Sequence, residues 1–310
     1  MKKDEFIVGV TSPSFCNNEK LREEILTVFP KTVFNTKNKK LNHDEMLELF
    51  MEVDALIVSM ENIDSKLLNK LGNLKLISKF GVGLDNIDLS SCENLGVKVN
   101  FTPGVNKVSV AEMTIAFMIS LSRNMYQSSI LLKSGIWDKS NGGNEISNKN
   151  IGIIGCNNIG QEVIRMLEPF KCNIYINDLV EKSDICKTYK AKQVELDYLL
   201  QNCDIVSIHL PLNSKTKNLI SINKLKLMKE NSIIINTSRG GIVNEEDLFQ
   251  ALTNNFINAA ALDVYDIEPP KNKKLLKLNN LYCTPHIGGN SKESVMMLGR
   301  EAIKNLEIYF

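Results

Sequence analysis

Histidine is scarce in this chain, and several features that would mark a specialised class of protein are absent. Among 310 residues there are three histidines, and the seven cysteines form no C-x-x-C pair and no zinc-ligand spacing. The longest strongly apolar run, residues 113–121, is far too short to span a bilayer. The formal net charge of +1 argues against nucleic acid or an anionic membrane as the main partner.

The composition that remains is that of an ordinary globular protein, with 43% hydrophobic and 24% charged residues. An odd number of cysteines without metal spacing is typical of reduced thiols. The N-terminal stretch MKKDEFIVGV has lysines but no apolar core of a signal peptide. These observations predict a cytoplasmic protein.

Short β-rich runs alternate with longer helical patterns along the whole chain. The runs cover residues 6–10, 54–59, 74–78, 97–100, 151–155, 173–177, 204–210, 232–236, 259–264 and 281–284. Short, continuous runs rich in Ile and Val are typical of parallel strands buried on both faces. The pattern predicts an α/β protein with two doubly wound parallel sheets.

A domain boundary is predicted near residues 101–106, where FTPGVN carries the turn residues Pro103 and Gly104. Ser109 and Glu112 then have the spacing of a capping box, so we expect a helix to open at Ser109.

The stretch IGIIGCNNIG, residues 151–160, is close to the dinucleotide fingerprint G-x-G-x-x-G. It lies between a predicted strand and a predicted helix, where backbone amides and the helix dipole can bind a pyrophosphate. Gly155 and Gly160 match the first and third glycines, but Asn157 replaces the second. We expect Asn157 to adopt a left-handed backbone and to weaken binding about tenfold.

Asp178 ends the next predicted strand, where a carboxylate can accept both hydroxyls of the NAD ribose. It would repel a 2′-phosphate, and the nearest following cation is Lys182, so NAD is predicted over NADP. From the loop alone, one alternative remains: an α/β domain whose glycine-poor turn binds no ligand.

Three candidate catalytic residues each follow a predicted strand, where open α/β sheets bind their ligands. Arg239 can bind a carboxylate through two parallel hydrogen bonds, and His286 can accept or donate a proton near neutral pH. Glu268 can orient the histidine and balance its charge. This set suits the oxidation of a 2-hydroxy acid.

Seven stretches in a fixed order make the chain resemble the D-isomer-specific 2-hydroxyacid dehydrogenase family, in particular its phosphoglycerate dehydrogenase-like members. They are KFGVGLDNIDL (79–89), TPGVNKVSVAE (102–112), GIIGCNNIG (152–160), HLPLNSKTKNLI (209–220), NTSRGGIVNEEDL (236–248), ALDVYDIEPP (261–270) and TPHIGG (284–289). The resemblance covers nearly the whole chain.

The resemblance implies a role for each matching residue. Arg239 would bind the substrate carboxylate and C2 oxygen, and His286, paired with Glu268, would transfer the proton at that oxygen. Lys79 and the amides of Val82 and Gly83 would contact the substrate. The cofactor-binding residues would be Gly155, Asn157, Asn158, Ile159, Gly160, Asp178, His209, Leu210, Pro211, Thr216, Thr237, Ser238, Asp263, Gly288 and Gly289.

The family's fold also implies that one domain is inserted into the other. A Rossmann NAD-binding domain, residues 102–286, would interrupt a flavodoxin-like substrate domain made of residues 1–101 and 287–310. The partners would be a small 2-hydroxy or 2-oxo acid, with a phosphate or sugar-acid tail as a candidate substituent, and a second copy of the chain in a homodimer. No metal is expected.

Two alternatives remain open from the sequence. One is an NAD(H)-sensing protein of the corepressor type with little turnover. The other is an enzyme of the same superfamily that oxidises formate or an inorganic anion, although Glu268 in place of Gln favours the hydroxyacid class.

Overall fold

The computed structural model describes residues 3–310 as alternating strands and helices. The strands are β1 (Val8–Val10), β2 (Thr32–Phe34), β3 (Ala55–Val58), β4 (Leu76–Lys79), β5 (Lys98–Asn100), β6 (Asn150–Ile154), β7 (Asn173–Asn177), β8 (Lys192–Gln193), β9 (Ile205–Ile208), β10 (Ile233–Asn236), β11 (Ala259–Leu262) and β12 (Leu281–Cys283).

The α-helices are α1 (Pro13–Cys16), α2 (Glu19–Val28), α3 (His43–Phe50), α4 (Ser65–Leu68), α5 (Leu89–Asn94), α6 (Lys107–Ser122), α7 (Met125–Lys133), α8 (Asn158–Leu167), α9 (Ser183–Tyr189), α10 (Leu196–Asn202), α11 (Ile222–Leu225), α12 (Glu245–Thr253) and α13 (Lys292–Tyr309). Three short 3₁₀ helices cover Lys3–Glu5, Glu168–Phe170 and Leu275–Lys277. Within residues 3–310, no helix is long and apolar enough to cross a membrane.

The chain divides into two compact units. Unit 1 consists of Met1–Asn106 and Gly289–Phe310, and unit 2 is the continuous segment Lys107–Gly288. These limits lie a few residues from positions 102 and 286, which the sequence suggested as the ends of an inserted domain.

Unit 1 is built on a five-stranded parallel sheet in the order β2-β1-β3-β4-β5, which is the flavodoxin-like order. Alternate side chains of each strand enter different cores, because successive residues of a strand point to opposite faces. Ala55 and Ile57 of β3 pack with residues of α13, whereas Leu56 and Val58 pack on the other face. Both faces of the sheet are therefore covered, as expected for a parallel sheet.

Unit 2 is built on a seven-stranded parallel sheet in the order β12-β11-β10-β9-β6-β7-β8. Reading from β8, this is the Rossmann order with one further strand. Ile151 and Ile153 of β6 enter one core and Ile154 enters the core on the opposite face. The predicted class, two doubly wound parallel-sheet α/β domains, is confirmed.

Three local features differ from the sequence prediction. The pattern missed β2 and β8, which are short strands at the edges of their sheets. The predicted capping box was wrong, because α6 already begins at Lys107 and Ser109 lies inside it. The Ser109 hydroxyl instead donates to the carbonyl of Gly288, 2.6 Å away.

Candidate active site

The three candidate catalytic residues lie in loops that follow three neighbouring strands of unit 2. Arg239 follows β10, Glu268 follows β11 and His286 follows β12, and these strands are adjacent and parallel. Their loops therefore all begin at the carboxyl ends of the strands, on the same side of the sheet. His286 Nδ1 lies 2.9 Å from Oε1 and 2.8 Å from Oε2 of Glu268.

The Glu268 carboxylate is held in its ionised form. Burial alone would raise its pKa, but the hydrogen bond and charge of His286, the N–H of Tyr265 and the charge of Arg239 together hold the pKa below its usual value. The Tyr265 N–H donates to Oε1 over 3.2 Å. With a carboxylate accepting at Nδ1, the Nε2 atom of His286 is left to exchange a proton with a ligand.

His286 has a left-handed backbone, with a φ of +54°. This conformation is uncommon outside glycine, and it persists only where the surroundings determine it. Asp263 provides that restraint and is 1% exposed. Its carboxylate accepts hydrogen bonds from the Thr284 hydroxyl (2.6 Å) and from the N–H groups of Ile287 and Gly288 (both 2.8 Å).

The turn that carries Arg239 is organised by a buried asparagine, Asn236. Its Oδ1 accepts hydrogen bonds from the N–H and hydroxyl of Ser238, and its Nδ2 donates to the carbonyl of Arg239. The Arg239 guanidinium donates to the Ser238 carbonyl over 2.7 Å. Thr237 is buried, and its hydroxyl lies 2.9 Å from that of Thr114.

The loop between β6 and α8 has the shape that a pyrophosphate needs. Gly155 has a φ of +89°, and a Cβ there would lie 2.6 Å from the His209 carbonyl oxygen. A Cβ on Gly160 would lie 2.3 Å from the Gly155 carbonyl oxygen. The backbone can take this close turn only with glycine at both positions, so these residues fit a dinucleotide.

Asn157 contradicts the expected backbone strain. Its φ is −97° and its ψ is −154°, an extended conformation that any residue adopts. The predicted left-handed backbone was therefore wrong, and the tenfold loss of affinity expected from it loses its physical cause. Asn157 is the N-cap of α8 but its side chain forms no capping hydrogen bond within residues 3–310, which leaves the first amides of the helix, from Asn158 and Ile159 onward, without a side-chain cap.

Asp178 lies beside this loop, as the sequence suggested. Its carboxylate accepts hydrogen bonds from the N–H of Cys156 (2.8 Å) and the N–H of Val180 (2.9 Å). Lys182 is also present, with Nζ 3.6 Å from Asp178 Oδ2 and 3.3 Å from Asn157 Oδ1.

His209 follows β9 and is enclosed in unit 2. Its Nε2 lies 2.9 Å from the Ser207 hydroxyl, and its Nδ1 has no partner within residues 3–310. Burial lowers the pKa of His209 to about 3, so the side chain is neutral at physiological pH. An unpartnered buried nitrogen next to the Gly155 loop is a second observation consistent with a ligand there.

The remaining predicted residues divide between the units. Leu210 is half-buried and Pro211 is exposed after β9, and the Thr216 hydroxyl donates to the Pro211 carbonyl over 2.7 Å. Gly288 lies in unit 2, whereas Gly289 begins the returning segment of unit 1. Unit 1 also contains Lys79, Val82 and Gly83.

Lys79 ends β4 and is buried. Its ammonium donates to the Ser59 carbonyl and, over 2.6 Å, to Asn86 Oδ1. Val82 and Gly83 follow in a half-buried loop.

Sequence reasoning assigned no role to several residues that shape the site. Asn236, Thr284 and Tyr265 fix the loops of Arg239, His286 and Glu268 through the hydrogen bonds described above. All three lie inside the motifs quoted for the sequence, so their place in those motifs was the only sign of a role that the sequence offered. Lys182 was noted only as the nearest cation, because its distance from Asn157 along the chain hides their contact.

A Rossmann sheet, a glycine loop at its switch point and a histidine–glutamate pair at the same sheet edge together define a dinucleotide-dependent oxidoreductase. The sequence model of the D-isomer specific 2-hydroxyacid dehydrogenase NAD binding domain matches residues 115–288. The chain is 34% identical over 291 residues to the hydroxypyruvate reductase of Thermotoga maritima, covering 92% of this chain and 94% of the relative.

Two further comparisons agree with this assignment. The D-3-phosphoglycerate dehydrogenase of Methanocaldococcus jannaschii is 36% identical over 84% of this chain, but the chain spans only 50% of that longer enzyme. A structure described as a D-isomer specific 2-hydroxyacid dehydrogenase from Polaromonas sp. JS6 66 matches with a TM-score of 0.90 at 25% identity, covering 98% of this chain and 96% of the other.

The chain belongs to the D-isomer specific 2-hydroxyacid dehydrogenase family. It is an NAD-dependent oxidoreductase that transfers a hydride between NAD(H) and C2 of a D-2-hydroxy or 2-oxo acid. These matches give no support to the alternative of an NAD(H)-sensing protein with little turnover.

Proposed function

We propose that the chain reduces a small, unphosphorylated 2-oxo acid, with hydroxypyruvate as the leading candidate, and that Arg239, Glu268 and His286 carry the reaction. The observation that supports these roles most directly is the contact of both Glu268 carboxylate oxygens with His286 Nδ1. Support for the substrate comes from the hydroxypyruvate reductase relative, which this chain matches over almost its full length.

In the proposed mechanism the Arg239 guanidinium binds the substrate carboxylate through charge-assisted hydrogen bonds. His286 donates a proton from Nε2 to the C2 oxygen during reduction, while the ionised Glu268 stabilises the protonated imidazole from the Nδ1 side. When bound, NAD(H) supplies the hydride that adds to C2. In the oxidation direction, Nε2 accepts the proton from the C2 hydroxyl.

We propose that the loops of unit 2 also bind the cofactor and that residues of unit 1 add further substrate contacts. The uncapped α8 amides beyond Asn157 would bind the pyrophosphate, and Asp178 would accept the ribose hydroxyls. The amides of Val82 and Gly83 and the Lys79 side chain are proposed substrate contacts. The enclosed His209 and the turn at Thr237 are proposed to border the cofactor.

A second candidate substrate is a phosphorylated 2-oxo acid, because the phosphoglycerate dehydrogenase relative has the higher identity of 36%. We prefer the unphosphorylated acid as the substrate because the Lys79 ammonium already donates to Ser59 and Asn86. An ammonium has three donors, so at most one is left for a phosphate.

The test is a steady-state assay of NADH oxidation with hydroxypyruvate, glyoxylate, pyruvate and 3-phosphohydroxypyruvate. We expect turnover with the highest kcat/KM for hydroxypyruvate and formation of the D-hydroxy acid. A higher kcat/KM for the phosphorylated acid would transfer the assignment to the second candidate. Binding of NADH without turnover of any acid would contradict the catalytic roles.

Arg239→Lys tests the proposed carboxylate clamp separately from protein stability. One ammonium cannot form the two parallel hydrogen bonds of a guanidinium, so KM should rise at least about tenfold. The matched control is Arg123→Lys, because Arg123 is exposed and donates only to the Gly142 carbonyl among the contacts resolved in unit 2. An unchanged kcat/KM for Arg239→Lys would contradict the clamp.

We also propose a cytoplasmic homodimer. Support for the dimer comes from exposed apolar side chains on α7 and in the segment after it: Met125, Tyr126, Ile130, Leu132, Ile136 and Trp137. A second copy of the chain covering them would remove this apolar surface from water. Sedimentation should give a dimer, and Ile130→Glu with Leu132→Glu should give a monomer; a monomeric wild-type protein would contradict this proposal.

A further inference from the structure

A cation lies beside the carboxylate that is expected to select NAD. Lys182 precedes α9 and its side chain is only 13% exposed. Its ammonium is 3.6 Å from Asp178 Oδ2 and donates to Asn157 Oδ1 over 3.3 Å. Two contacts from two different loops therefore fix the position of this charge.

Asp178 should repel the 2′-phosphate of NADPH less strongly than an isolated carboxylate would. Its side chain is 8% exposed, and its two oxygens accept hydrogen bonds from the N–H groups of Cys156 and Val180. Both amides and the Lys182 ammonium place positive charge against the carboxylate. A 2′-phosphate at the ribose would therefore meet an ion pair rather than an isolated anion.

We propose that Lys182 is a specificity-determining residue that allows this enzyme to bind NADPH as well as NADH. The ammonium can contact a 2′-phosphate through a charge-assisted hydrogen bond, which offsets the repulsion from Asp178. The inference rests on the proposed cofactor site and extends it to a second dinucleotide.

The contact with Lys182 also gives the Asn157 side chain a function. Its backbone is extended and unstrained, and its side chain does not cap α8, so neither property explains an asparagine in place of glycine. Its Oδ1 instead accepts the hydrogen bond of Lys182. Asn157 is therefore a positioning residue that holds the ammonium near the ribose end of the cofactor.

The test is calorimetric titration of the whole protein with NADH and with NADPH, so that the readout is binding and not turnover. Wild-type protein should bind NADPH with a Kd within about tenfold of that for NADH. Lys182→Ala should weaken NADPH at least about tenfold and NADH less than about threefold, because only NADPH carries the 2′-phosphate. Lys182→Arg should retain NADPH binding.

A control variant and a positioning variant complete the test. Lys187→Ala removes the same charge from the exposed surface of α9, and it should change neither affinity. Asn157→Gly removes the oxygen that accepts from Lys182, so it should weaken NADPH several-fold more than it weakens NADH. Together they separate a positioned ammonium from a general change in net charge.

Three results would overturn the proposal. Equal weakening of both dinucleotides by Lys182→Ala would place Lys182 at the shared pyrophosphate instead. Tight NADH binding with no NADPH binding in the wild-type protein would show that Asp178 alone determines the choice between the two dinucleotides. The proposed cofactor site would then stand. Failure of the wild-type protein to bind either dinucleotide would contradict the cofactor site as well.

Discussion

In both units the first strand of the sheet is followed by a helix, but only the helix of unit 1 has a side-chain cap at its N-terminus. In each sheet the first strand lies where the strand order reverses, which is where open α/β sheets bind ligands. In unit 1, the Ser12 hydroxyl after β1 accepts a hydrogen bond from the Phe15 N–H of α1, and Pro13 opens the helix. In unit 2, the N-cap Asn157 leaves the α8 amides without a side-chain cap.

The difference concerns how many backbone amides the first helix of each unit leaves available to a phosphate. A helix that is capped by its own side chain and opened by proline has fewer amides to offer a ligand. An uncapped helix after a glycine turn keeps them available. The same contrast extends to the chemistry, because the histidine–glutamate pair lies in unit 2, whereas the histidine of unit 1, His43, is half-buried and contacts the Asn62 carbonyl.

The largest effect should come from removing the proton donor of unit 2. His286→Ala should lower kcat by at least about 10²-fold, the usual contribution of a general acid–base. The control is His43→Ala in unit 1, whose ring contacts the Asn62 carbonyl and Asp64. Comparable losses in steady-state kcat from the two variants would show that His286 has no special role.

The next largest effect should come from filling the glycine turn. A Cβ at Gly160 would lie 2.3 Å from a backbone oxygen that cannot move easily, so Gly160→Ala should destabilise unit 2 by about 1–3 kcal/mol and weaken NADH more than tenfold. Gly72→Ala in unit 1 meets no atom within 4 Å and should leave both properties unchanged. Calorimetric titration and urea denaturation measure the two effects, and unimpaired NADH binding by Gly160→Ala would refute the close turn.

Giving unit 2 a helix cap like that of unit 1 should have a smaller effect. Asn157→Asp places a carboxylate at the α8 N-terminus, which should stabilise the free protein by up to about 1 kcal/mol and weaken NADH about tenfold. Asn157→Gly is the matched control and should keep NADH affinity within about threefold, because the asparagine backbone is not strained. Tighter NADH binding by Asn157→Asp would contradict a pyrophosphate at this helix.

The smallest effect concerns the buried histidine of unit 2. The pKa of His209 is lowered to about 3 by burial, so its neutral form stabilises the fold above pH 6.5 and this contribution is lost as pH falls toward 3. Between pH 7.5 and 5.5, wild-type protein should therefore lose about 1 kcal/mol more stability than His209→Gln, which cannot ionise. Urea denaturation at both pH values measures the difference, and identical pH dependence of the two proteins would show that His209 is not buried as described.

Most strands of the two sheets were predictable because each is a continuous apolar run that can be recognised in the sequence by itself. The missed strands β2 and β8 have three and two residues, and both lie at sheet edges where one side is unpaired. Such short strands depend on pairing with a neighbour rather than on their own pattern. The Ser109 box failed for a related reason, since the same spacing occurs inside a helix that begins two residues earlier.

In the site, residue identity could be inferred from motifs but contacts could not. Asn157 and Lys182 are distant along the chain, and their hydrogen bond depends on two βα loops meeting at one sheet edge. The backbone angle of Asn157 likewise depends on its place as the N-cap of α8. The position of Asp178 could be predicted because it follows the strand next to the glycine loop along the chain, and β6 and β7 are neighbours in the sheet.

The division of unit 1 into two chain segments has a consequence for how the protein is made. Unit 2 is continuous in sequence and can complete its core as soon as it leaves the ribosome. The core of unit 1 includes Leu298, Ala302 and Leu306 of α13, and the Ser78 hydroxyl donates to the Ala302 carbonyl over 2.8 Å. During translation, therefore, the segment of unit 1 that precedes unit 2 must wait for α13, which follows unit 2, before its core closes. Unit 2 is completed in between.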